Sequence, residues 1–193
     1  MIFSPAFVTE LTVTPLRHLF KNFAPEDLKW DEDVKKTQIE IDSINNFNKI
    51  GTQVKPRILF GRGQYAINPT GLTDSMAQSP GPWVAKGAKR DIHFVLITGV
   101  SQLLIEATNE GTCERIVDLT SHFLNQMIPV FCDTQGFKNY GMPLNISPCT
   151  ISKEDKEMFA CTINIPWSKE EHWMINSDDI KIKNFLLKLD LSS

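Results

Sequence analysis

The sequence has no long apolar run. Its richest stretch, "FVLITGV" (Phe94 to Val100), falls far short of the roughly 20 residues that a membrane-crossing helix needs. A secretory leader is not evident either: "MIFSPAFVTEL" has no basic start and carries Pro5 inside its apolar part, so the chain is expected to stay in the cytoplasm where it is made. Charge of one sign is not in excess. Lys and Arg number 20 against 23 Asp and Glu, a net −3 with no dense basic cluster, and this disfavours DNA or RNA as a tightly held ligand, because such binding draws on phosphate neutralisation. The cysteines Cys113, Cys132, Cys149 and Cys161 form no C-x-x-C pair and have no histidine at finger spacing, so reduced, partly buried thiols are expected. There is no G-x-S-x-G elbow, no H-E-x-x-H and no Walker loop. Catalytic triads assemble in space, but with no such motif the expectation is a protein that is not an enzyme. No catalytic, cofactor-binding or metal residue is assigned, and no cofactor is expected.

What is present is ordinary globular material, 41% hydrophobic and 22% charged, long enough to bury a real core as one domain. One stretch, "RILFGRGQYAINPTG", imitates a dinucleotide turn, with Gly61, Gly63 and Ala66 at G-x-G-x-x-A spacing. That turn works only if a helix follows and aims its N-terminus at the phosphates. Here Pro69 biases Asn68 away from helical angles, and Thr70 and Gly71 continue the turn chemistry. The neighbourhood about 20 residues on, where an acidic residue should stand, reads "AQSPGPWVAKG". The segment is read instead as a glycine-punctuated strand or hairpin.

Along the chain, Pro15 suits the first turn of a short helix whose apolar face is Leu16, Leu19, Phe20 and Phe23, while "TELTV" before it reads equally as a strand or arm. "KTQIEIDSI" alternates, Ile39 and Ile41 on one side, which predicts a half-buried strand. From Gly61 to Asp91, five glycines and three prolines predict a long loop, with one helical turn at "GLTDSMAQ" and an apolar outlier, Trp83. Trp83 either anchors a partner or folds back on its own core. "DIHFVLITGVSQLLIEAT" predicts a long central strand with Gly99 as a bulge or bend. The period then changes. Ile116, Leu119, Phe123 and Met127, widened by Val117, Leu124 and Ile128, predict an amphipathic helix capped by Asn109 or Thr112 and stopped by Pro129. A turn-rich link follows. "LNISPCTI" predicts a short strand interrupted by Pro148, "MFACTINIPW" another strand, and "SKEEHWM" an amphipathic surface segment with Trp167 and Trp173. The tail alternates at Ile180 and Ile182 and again at Leu187, Leu189 and Leu191, and a strand this apolar needs a neighbour.

None of the histidines gathers chemistry in sequence. His172 follows Glu170 and Glu171 but reads as surface; His122 sits at a core boundary on the long helix; His18 and His93 have no nearby base or nucleophile partner. The fold class is therefore α+β: a mixed or antiparallel sheet packed against one long and one shorter helix, with an extended loop or hairpin and a strand-like C-terminal arm. A single domain over 1–193 is expected, with a loop at 61–91 and an extension at 174–193.

The order of elements resembles the tail terminator proteins of tailed bacteriophages. It is carried by "KTQIEIDSI", "PRILFGRGQYAI", "FVLITGVSQLLIEAT", "CERIVDLTSHFLNQMI", "LNISPCTI" and "FACTINIPW", across roughly Val34 to Trp167. The chain is longer than typical members, its 61–91 loop is larger, and the C-terminal arm is outside the common pattern. The resemblance implies a virion structural subunit, generally in a hexameric ring at the tail–neck junction. Its partners would be itself, the adjoining neck or connector, and the tail tube or sheath. DNA would be passing cargo only, which mild negative charge suits, and no membrane is involved. Another tail or baseplate protein, or a small cytoplasmic enzyme or ligand-binding module, is the alternative. Interface residues expected on this reading are Tyr65, Leu72, Met76 and Trp83 in the loop and Ile180, Ile182, Leu187 and Leu189 in the tail.

Overall fold

The change of period read after Ala107 marks the main junction of the fold. A computed structural model describes residues 5–43, 55–69, 90–152 and 157–176. The chain runs α1 (Pro5–Asn22), a 3₁₀ turn (Glu26–Leu28), β1 (Glu40–Ser43), β2 (Arg57–Pro69), β3 (Arg90–Ala107), α2 (Glu110–Gln135), β4 (Phe137–Tyr140), β5 (Asn145–Ile146), β6 (Thr150–Ile151) and β7 (Phe159–Asn176). One sheet holds all seven strands in the order β1-β2-β3-β7-β4, with β5 and β6 also paired to β7. It is mixed: β1 and β2 are parallel, while β4, β5 and β6 run antiparallel to β7. The α+β class with one long and one shorter helix is thus observed.

Contacts group the chain into two units, Met1–Ala66 with Thr98–Lys169, and Ile67–Ile97 with Glu170–Ser193. In the first unit the core is built from strands and both helices. Ile58, Leu59 and Phe60 are consecutive and all buried, as a strand covered on both faces requires. Leu103 and Ile105 on β3 and Cys161, Ile163, Ile165 and Trp167 on β7 are buried at alternate positions. In the second unit, Val95 and Ile97 of β3 are buried and Ile67 of β2 is exposed.

The helix α1 differs from the sequence reading. It begins ten residues before Pro15 and takes in "TELTV", because Val8, Thr12, Val13, Leu16 and Phe20 fall on one helical face and are all buried. Thr12 Oγ1 donates to the Val8 carbonyl at 2.8 Å, a bond that lets a β-branched hydroxyl residue sit inside a helix. Phe23, expected on the apolar face, is exposed. The helix docks on β1 through Arg17, whose Nε and Nη2 both donate to the Ile41 carbonyl, at 2.9 and 2.8 Å, while its guanidinium lies over Trp30.

The second helix also outruns its expected end. Asn109 caps it, accepting from the Thr112 amide, but Pro129 does not stop it. A proline inside a helix removes one amide hydrogen and costs about 3 kcal/mol. Ile128 and Phe131, on either side of Pro129, are buried, and this packing carries the helix through to Gly136, which closes it at φ 68°. The buried stripe runs through Cys113, Ile116, Val117, Thr120, Leu124, Ile128 and Phe131, so Leu119, Phe123 and Met127 sit at its margin and His122 is exposed. Tyr140 binds these layers together. Its ring packs on Phe131 and Phe137 and its hydroxyl meets Thr12 of α1; burial pushes that phenol above its ordinary range.

Candidate functional site

Strand β1 covers β2 for four residues only, from the Glu40–Arg57 pair to the Ser43–Phe60 pair. Strand β2 nevertheless continues to Pro69. Residues 61–69, expected as the start of the long loop, are therefore strand, and the glycine-punctuated reading of the segment is the one observed. Among the described residues, nothing pairs with the β1 side of β2 beyond Phe60. An edge of this kind presents backbone amides and carbonyls in a row, ready to template another strand.

The glycines explain how β2 runs on so close to β3. A methyl group at Gly63 would collide with the Val100 carbonyl oxygen, so only a hydrogen fits there. On β3, Gly99 lies beneath the Trp167 indole, and an added Cβ would come within 2.7 Å of Cε2. Trp167 is itself buried, its Nε1 donating to Ser101 Oγ at 3.0 Å. The surface segment expected around Trp167 is thus part of β7, with this indole in the core, because the strand alternation that starts at Cys161 continues through it.

An open groove of about 900 Å³ lies over this part of the sheet, lined by Arg62, Gln64 and Tyr65 of β2 and by Thr98 and Val100 of β3. Tyr65 is 42% exposed, and the Arg62 guanidinium stands 5.5 Å from its ring centre. The pair offers an aromatic face, a fixed positive charge and planar donors. Val100 adds exposed apolar surface. Of the interface residues proposed from sequence, Tyr65 is found here. Leu72, Met76, Trp83, Ile180, Ile182, Leu187 and Leu189 lie outside the described residues, as do the "GLTDSMAQ" turn and most of the C-terminal extension. Arg62, on the same strand as Tyr65, was not singled out, and neither were Thr98 and Val100, which strand pairing brings beside Tyr65 from more than 30 residues away.

Two further clusters lie in the body of the fold. Glu106, 3% exposed in its side chain, receives Arg57 Nε at 2.5 Å on one carboxylate oxygen and Ser152 Oγ at 3.3 Å on the other. It ties β2, β3 and the end of β6 together as a satisfied buried ion pair. The second is a crevice of about 360 Å³ between α2 and β7, lined by Glu114, Val117, Asp118, Ser147, Pro148, Cys149 and Cys161. Among the described residues, no group of three or more His, Cys, Asp or Glu is placed to hold a metal ion, and no helix is long and apolar enough to cross a membrane. No protein-family model matches the sequence, and no curated protein matches it.

Proposed function

We propose that the chain is a structural subunit that assembles with copies of itself through the open edge of β2. The observation that carries this reading is a strand that outlasts its partner: beyond Phe60 no described residue pairs with the β1 side of β2, and this stretch bears the exposed Tyr65 with Arg62 stacked on it. Strand addition along such an edge gives affinity through main-chain hydrogen bonds and specificity through alternate side chains. A contact between the β2 edge of one copy and a different surface of the next is heterologous, and heterologous contacts close into rings when the rotation permits. The alternating tail read from the sequence at Ile180–Leu191 is the donor strand this reading assigns. Taken with the order of elements, the assembly is a ring at the tail–neck junction of a tailed phage, working in the virion after assembly in the host cytoplasm. Its role there is to join tube and connector, with no catalytic step.

Light scattering coupled to gel filtration, together with negative-stain images, tests the reading. A closed oligomer is expected, and Tyr65→Lys should dissolve it while leaving the thermal melt in place, because a charge at a sheet edge blocks pairing. Removal of residues 178–193 should do the same. A wild-type chain that remains monomeric up to high concentration, or a Tyr65→Lys chain that assembles as before, overturns the proposal.

A further inference from the structure

The thiol crevice is independent of the β2 edge. Ser147 N donates to the Thr162 carbonyl at 2.9 Å, and the ladder resumes at the Thr150–Ala160 pair. Between these points two residues, Pro148 and Cys149, stand opposite one, Cys161, and this is a bulge on an edge segment, where proline is tolerated. The bulge sets Cys149 across from Cys161 within a 360 Å³ crevice. Opposed residues of an antiparallel pair have Cα atoms about 4.5 to 5.5 Å apart, inside the range that a disulfide spans. The Cys149 side chain lies near both Cys161 and Cys113, and Cys113 Sγ donates to the Ile105 carbonyl at 3.8 Å. Cys161 Sγ donates to the Ser147 carbonyl at 3.0 Å, which points its sulfur toward the bulge.

We propose that this bulge is a thiol-modification site, at which Cys149 exchanges with a small disulfide and Cys161 then displaces the adduct to leave a Cys149–Cys161 bridge. The order follows from exposure. Cys149 is half-buried on the crevice wall, whereas Cys161 and Cys113 are buried. Burial pushes the Cys161 thiol up to about 11 and Cys113 higher still, so at neutral pH both are protonated and poor first nucleophiles. In the first step the Cys149 thiolate attacks one sulfur of the small disulfide, whose S–S bond breaks and whose other half leaves as a thiolate and takes up a proton. In the second, Cys161 loses its proton and attacks Cys149 Sγ, and the second half leaves as a thiol. The chain loses two hydrogens, and one disulfide is reduced to two thiols. Glu114 and Asp118 line the crevice, so a disulfide without net negative charge is the favoured partner.

Cystamine, a cationic disulfide, and oxidised glutathione, an anionic one, serve as probes on the native chain, with peptide mapping by mass spectrometry under non-reducing conditions. Cystamine is expected to give a Cys149 adduct first and a linked Cys149–Cys161 peptide later, the second step quickening as pH rises toward 11. Cys161→Ser should halt at the Cys149 adduct, and oxidised glutathione should react several-fold more slowly at Cys149 than at Cys132, the other half-buried thiol. Reaction confined to Cys132, a bridge from Cys149 to Cys113 instead of Cys161, or equal rates with both probes at Cys149 overturns the proposal. Mapping the wild-type chain alone decides the first two outcomes, so a variant that fails to fold does not shield the idea.

Discussion

One strand, β2, lives in two environments. From Arg57 to Phe60 it is paired with β1, Ile58, Leu59 and Phe60 are buried, and Arg57 is locked to Glu106. From Gly61 to Ala66 it keeps the same backbone form without β1, and Arg62, Gln64, Tyr65 and Ala66 are all exposed. The strand is therefore not held by its own propensity. The first half is fixed by burial and cross-strand partners, and the second, among the described residues, by β3, at a spacing so close that Gly63 is obligatory.

Four experiments separate the halves. Phe60→Ala should be the most damaging, removing about 3–5 kcal/mol in chemical unfolding, because a fully buried aromatic leaves a cavity that a strand sandwiched on both faces cannot close. Arg57→Leu follows, at about 3 kcal/mol, since it leaves Glu106 charged and buried with its main partner gone; Arg57→Leu with Glu106→Leu should recover much of that loss. Alkali probes the closed side of the sheet. The Cys161 thiol titrates near 9.0 when unfolded and is held up to about 11 when folded, so the unfolded chain loses its proton first. Stability is then fully present below pH 9 and falls as pH rises toward 11, by about 1.4 kcal/mol per pH unit from this group, an effect that Cys161→Ala should remove from the melting curve. Burial raises the Tyr140 phenol as well, and it adds a loss of the same sign at higher pH. The smallest effect is expected at Tyr65→Ala on the open half, within about 0.5 kcal/mol in unfolding even as assembly weakens. A large loss of stability there would mean that Tyr65 is part of the fold and not of an interface.

Much of the closed half was legible in sequence. Ile39 and Ile41 alternate and are buried, the long β3 run and the first part of β7 as far as Trp167 form strands, and Asn109 caps α2, because each of these depends on neighbours close in sequence. The two prolines misled for a related reason. Pro15 and Pro129 argue locally for a helix start and a helix stop, but both helices continue through them, since burial of Leu16 and Phe20, or of Ile128 and Phe131, outweighs one missing amide hydrogen bond. Val8, Thr9, Thr12 and Val13 spell a strand by propensity and form a helix because their spacing, not their branching, meets the sheet. The candidate site was visible only in part. Tyr65 could be named from its position in a glycine-rich stretch, but its companions Thr98 and Val100 arrive by strand pairing. The opposed thiols were hidden too. Cys149 and Cys161 are separated by 11 residues in sequence, and the only local hint was Pro148 interrupting a short strand.

The indole of Trp167 resting over Gly99 makes those two positions a single unit of volume shared between neighbouring strands. A bulkier residue at 99 can be accommodated only if the ring at 167 shrinks, so Gly99→Ala and Trp167→Leu should each be costly and, joined in one chain, cost less than their sum. Redesign of this sheet must therefore change both places at once.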